Sequence, residues 1–185
     1  MSVLREHTNA KHREAEGTPF VQYMLHGNIT PEHYAVYLQQ MQIVYANIEY
    51  FAEIAGLLHD LPDIKRSERM REDLAELGID LPSRSLPSIE AWRQRIVDLY
   101  YSDQKHLILA HVYVRHMGDL YGGKIIAKRV PGSGLCYQFQ DRPALIRALD
   151  AKLSLSIVDE ALLAFDLAIA VFEDLQKEIG LDTRT

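Results

Sequence analysis

The chain has 185 residues, of which 48% are hydrophobic, and a formal net charge of −6. That size and content exclude a disordered chain and predict one globular domain over residues 1–185. The acidic balance argues against a general nucleic-acid binder. A lone cysteine, Cys136, excludes an internal disulfide framework and fits a cytoplasmic setting. The absence of an apolar run of about 18–20 residues excludes a membrane span.

The predicted elements are almost all helical. A polar helix runs from Val3 to about Gly17, with none of the apolar character of a signal peptide. Thr18-Pro19 reads as an N-cap followed by proline at the first helical position, opening a short helix that ends near Gly27. Thr30-Pro31 repeats that signal. The long helix it opens reaches about Leu58, with Tyr34, Tyr37, Leu38, Met41, Val44, Tyr45, Ile48 and Phe51 on one apolar face. After the Asp60-Leu-Pro-Asp break, a helix from Ile64 to Leu77 ends on Gly78. Another spans Ile89 to Tyr101. Asp103 is the expected cap of a glycine-containing helix that reaches about Val130, where Pro131-Gly-Ser-Gly stops it. Leu135 to Phe139 reads as an irregular turn. A shorter helix covers Pro143 to Leu153. The last begins after Ser156, with Asp159 completing a partial capping box, and ends at Gly180.

The glycine-containing helix is the anomaly. Gly118, Gly122 and Gly123 each cost a helix interior about 0.8–1 kcal/mol relative to alanine. Gly118 and Gly122 are four apart and share a face, so a flat ligand can lie on bare backbone there. A tight helix crossing explains the same spacing, and spacing alone leaves the two readings open. Gly122-Gly123 is the expected kink. Asp119 stands near the edge of that face, with Arg115 one turn before it. Of eight histidines, His12 has Glu16 one turn later, the arrangement of a metal-bound ring held by a carboxylate. His111 and His116 flank the glycines, and the others read as surface or cap residues. No HExxH, CxxC, Walker or GxSxG motif occurs.

The stretch Leu109-Ala-His-Val-Tyr-Val-Arg-His-Met-Gly-Asp-Leu-Tyr-Gly-Gly resembles the AHxYxRxxGDLxGG signature of heme oxygenases at nearly every constrained position. Leu4-Arg-Glu-His-Thr-Asn-Ala-Lys-His-Arg-Glu-Ala-Glu independently resembles the family's proximal helix, whose last histidine binds iron. The resemblance implies an all-α, multi-helical bundle with heme b between the N-terminal helix and a kinked distal helix. It implies His12 as the iron ligand and Glu16 as its partner, with Gly118, Gly122 and Gly123 lining the distal wall. Asp119 would run a water-mediated proton relay supported by Tyr45 and Arg115. Tyr113 matches a propionate-contacting tyrosine, Arg5 one of two expected proximal cations (Asn9 replaces the other), and Arg147 a later basic site. Heme would be substrate and cofactor, and O2 the co-substrate. The products would be biliverdin, CO and ferrous iron, with cleavage at the alpha meso carbon by family default. Electrons would come from a ferredoxin or a reductase. The resemblance fits a monomer without the membrane tail of some animal relatives. A non-catalytic heme-binding or heme-transfer protein on the same scaffold is the alternative. Helical thiamin-degrading enzymes have a similar architecture, and there the nucleophile would have to be Cys136.

Overall fold

The computed structural model describes residues 3–181; residues 1–2 and 182–185 of the expected 1–185 unit lie outside it. Among the described residues every regular element is helical: α1 (Arg5–Glu16), α2 (Pro19–Leu25), α3 (Pro31–Ile54), α4 (Ser67–Leu77), α5 (Pro87–Tyr101), α6 (Ile108–Val112), α7 (Gly118–Ile126), α8 (Arg142–Asp150) and α9 (Val158–Glu178). Short 3₁₀ turns precede α6 and α9 and form residues 135–137. A π turn, Tyr113–Met117, joins α6 to α7. No described helix is long and apolar enough to cross a membrane.

α3 forms the spine. Its predicted apolar face is buried from Tyr34 to Ile48 and packs along α4, α5 and α6. α9 closes the other side against α1, α2, α5 and α6, burying Ala161, Ala164, Phe165, Ala168, Phe172 and Leu175. The small residues on that stripe let neighbouring helices approach.

Several helix ends differ from expectation for local reasons. Thr30 caps α3 as expected, its hydroxyl accepting from His33 N at 3.2 Å. The Thr18 hydroxyl instead turns back and donates to the Ala15 carbonyl at 2.8 Å, joining α1 to α2. α3 stops at Ile54 rather than Leu58, because Gly56 takes a left-handed φ of 74°. α4 starts at Ser67, not Ile64. Its cap comes from α3: the Glu49 carboxylate accepts from Arg66 N at 2.5 Å and from Ser67 N and Oγ at 3.1 and 2.5 Å. Asp103 caps nothing, since a 3₁₀ turn over residues 105–107 intervenes. Ser156 bonds Ser154 at 2.7 Å and does not cap α9. The cap that had no prediction is Asp141, which accepts from Ala144 N at 2.9 Å and opens α8.

Candidate functional site

Two surfaces meet near the N-terminus of the chain. The first is α1, a polar helix with only Thr8 and Ala15 buried. It packs along α9 and is pinned there: Leu4 is fully buried, Lys11 bonds Asp166 on α9 at 2.7 Å, and Thr8 Oγ1 lies 3.0 Å from the Tyr113 hydroxyl. One turn beyond Thr8, His12 is exposed. Its Nδ1 is 3.5 Å from Glu16, and its ring stands edge-on to buried Phe165 with centroids 6.0 Å apart. An exposed imidazole beside a carboxylate keeps its other nitrogen available to a metal.

The second surface is the run from α6 to α7. In its first half His111 is fully buried between two partners. Trp92 Nε1 donates to Nδ1 at 2.9 Å, which leaves Nε2–H for Glu160 at 2.9 Å. Arg95 closes the cluster with two bonds to Glu160, at 2.9 and 2.5 Å. His111 and Arg95 hold the Glu160 carboxyl down at about 2 against the opposing effect of burial, and burial lowers His111. The backbone then widens into the π turn. Such turns insert one residue and occur often at functional sites.

Just past that turn, Asp119 is buried and accepts the Tyr45 hydroxyl at 2.5 Å. Burial pushes the Asp119 carboxyl up, while Arg115, Tyr45 and His116 pull it back. Burial also raises the Tyr45 phenol well above its usual range. The Arg115 guanidinium sits 5.4 Å from the Tyr45 ring centroid, and its Nε is buried without a hydrogen-bond partner. His116 is fully buried, 3.1 Å from Glu49 on α3, with its ring 5.0 Å from that of Tyr45.

The three glycines separate by environment. A Cβ on Gly118 would meet nothing within 4 Å, and one on Gly122 only the Ile126 side chain at 3.9 Å. A Cβ on Gly123 would stand 3.2 Å from Tyr137. Close packing therefore falls on Gly123, against Tyr137 of the 135–137 turn, whereas Gly118 and Gly122, the pair whose spacing left two readings open, border open space. The departure from α geometry lies at Tyr113–Met117, before the glycines, rather than at the Gly122-Gly123 pair, which stays helical.

Tyr45, Arg115 and Asp119 are thus brought together, as are His12 with Glu16 and, through Thr8, Tyr113 with α1. Arg5 and Arg147 lie exposed on α1 and α8, outside these clusters. His111 and His116 are consumed by buried carboxylates on other helices. Cys136 is fully buried and its thiol is raised well above its usual range by burial, with Asp73 adding to the effect, which is the opposite of an activated nucleophile. Sequence reading missed Thr8, Glu49 and Arg142, because each acts through a partner at least 17 residues away or through backbone carbonyls. Arg142 Nη1 donates to the Asp119 and Leu120 carbonyls at 3.1 and 2.8 Å.

A family model described as heme oxygenase matches residues 1–140. Among curated proteins the chain is 31% identical to a heme oxygenase of Guillardia theta, over 94% of this chain and 84% of that one. It is 26% identical to heme oxygenase 1 of Gallus gallus, over 96% of this chain and 70% of the relative. It spans only 65% of the length of heme oxygenase 2 of Oryctolagus cuniculus. Among solved structures, heme oxygenase from Leptospira interrogans superposes with a TM-score of 0.78 at 27% identity, covering 93% of this chain and 98% of that one. Heme oxygenase-1 from Synechocystis, in complex with heme, gives a TM-score of 0.80 at 24% identity, covering 96% and 94%.

Proposed function

The chain belongs to the heme oxygenase family, and from that premise we propose that it cleaves heme to biliverdin, CO and ferrous iron as a single domain. The observation that carries the reading is the exposed, unobstructed face at Gly118 beside a buried Tyr45–Asp119 pair. A helix that served only packing would fill that face with side chains.

The residues fit heme b as substrate and cofactor. His12 supplies an exposed imidazole and Glu16 its carboxylate partner. Gly118 and Gly122 let a macrocycle approach the backbone of α7. Gly123 shapes the same wall from behind by admitting Tyr137. When bound, heme supplies the iron at which O2 is reduced and the ring that is oxidised. Asp119 holds and returns protons through water, and burial, by pushing its carboxyl up, favours the protonated form such a relay must visit. The Tyr45 hydroxyl fixes which oxygen of Asp119 is free. Arg115 holds positive charge beside both, and its unpartnered Nε offers a donor to water in the cleft.

Tyr113, whose phenol meets Thr8 of α1, is the residue we assign to a propionate. Arg5 and Arg147 are the cations we assign to the propionates, and alpha is the expected meso position by family default. Electrons come from a ferredoxin or a reductase, docked by charge. The working form is a cytoplasmic monomer.

The test is to supply heme, a ferredoxin reducing system and air, and to follow the visible spectrum. Biliverdin absorption with loss of the Soret band is expected. A persistent Soret band would reduce the protein to a heme carrier. His12→Ala removes the proximal ligand and at least about tenfold of turnover, the scale set by misplacing a reacting centre. An unchanged heme spectrum in that variant would overturn the ligand assignment.

A further inference from the structure

The connection between α7 and α8 does more than reverse the chain. Asp73 on α4 accepts from Leu135 N and Cys136 N at 2.7 and 2.9 Å, and Asp63 accepts from Gln140 N at 2.8 Å. Fully buried Arg66 donates to the Gln138 carbonyl at 2.6 Å and covers the Phe139 ring at 4.1 Å. Arg142 lies on the same ring at 5.0 Å. Its guanidinium then reaches from this anchored strap to three backbone carbonyls. Nη2 donates to that of Tyr137, and Nη1 to those of Asp119 and Leu120.

Two of those carbonyls belong to the first turn of α7, directly after the π turn. In an α-helix such carbonyls already face the amides four residues on. A second, charge-assisted donor therefore restrains the rotation of that turn about its axis. The Asp119 carbonyl and the Asp119 carboxylate share one α-carbon. Rotation there swings the carboxylate away from the Tyr45 hydroxyl, which is fixed on α3. Gly118 and Gly122 supply no side chains to resist that rotation on the open face.

We propose that Arg142 is a positioning residue: by gripping the carbonyls of Asp119 and Leu120 it sets the aim of the Asp119 carboxylate. The proposal rests on the heme oxygenase reading for its consequence in turnover, but not for its structural claim. Arg142 lies outside residues 1–140, where the family model matches, so that match does not account for it.

The test uses Arg142→Met, which keeps length and loses every donor, and Arg142→Lys, which keeps the charge without the planar fork. In the heme-free protein, the Tyr45 hydroxyl proton is followed by NMR and assigned by its loss in Tyr45→Phe. We expect it to shift or broaden in Arg142→Met and to move less in Arg142→Lys. With heme, Arg142→Met lowers turnover about tenfold while heme affinity changes less than about threefold. In an Asp119→Ala background the same change has almost no further effect, because the two residues act in series. Should Arg142→Met not fold, the Lys variant carries the test. An unmoved Tyr45 proton in the folded variants, or fully additive effects with Asp119→Ala, overturns the proposal. A shifted proton in a protein that never turns heme over leaves the positioning claim standing and removes the heme oxygenase reading instead.

Discussion

His111 and Asp119 lie on one continuous run of helix and are both buried and charged or chargeable, yet their surroundings differ in kind. Both ring nitrogens of His111 and both carboxylate oxygens of Glu160 have partners, drawn from α5, α6 and α9. The Asp119 cluster leaves Arg115 Nε without one and borders the open face at Gly118. Burial and perturbed protonation mark both clusters equally. What separates the two clusters is whether the hydrogen bonding is complete.

Substitutions should divide along that line. The largest loss of stability is expected from Glu160→Ala, which strands His111 and Arg95. Breaking such a pair costs roughly 3 kcal/mol, read by urea denaturation, and a loss below about 1 kcal/mol would mean the cluster does not hold α5, α6 and α9 together. Gly123→Ala comes next, at about 1–3 kcal/mol from overpacking against Tyr137. Gly118→Ala should leave the heme-free protein unharmed or stabilise it by up to about 1 kcal/mol, while weakening heme binding in a spectral titration. Equal stability effects at the two glycines would erase the distinction drawn between them.

The smallest effects have opposite signs. Glu160 is depressed, to about 2, and His111 is depressed by burial. Their stabilisation is therefore present above the unfolded values and lost as pH falls through the folded ones. Asp119 is raised by burial, so stability falls as pH rises from its unfolded to its folded value, and the ionised form opposes folding above that. Asp119→Asn should accordingly stabilise the heme-free protein at neutral pH, by about 1 kcal/mol or less, the scale of one exchanged hydrogen bond. That gain should vanish in acid, and a stability curve parallel to wild type at all pH values would show that Asp119 is not strained.

Much of this was readable from sequence because it is periodic or local. The stripes of α3 and α9, the Thr30 cap and the Gly78 stop need only neighbouring residues. The signature from His111 to Gly123 carried the family. What escaped reading acts at a distance. Glu49 caps α4 from another helix, Thr8 meets Tyr113 from another helix, and Arg142 binds carbonyls that no side-chain pattern records. The bare run Gly118 to Gly123 showed that something approaches closely, but only Tyr137 in space shows that one glycine of the three faces protein.

The π turn has a consequence for how the helix is numbered around its axis. One added residue between Val112 and Gly118 puts the two halves out of phase, so no single helical wheel describes residues 108–126. Excising one residue from Tyr113–Met117 would restore an unbroken α-helix and turn Asp119 by about 100° relative to His111. Either the His111 half or the Asp119 half would then face the wrong neighbours. The insertion therefore acts as a phase key, letting one helix present its two halves to two different sets of partners.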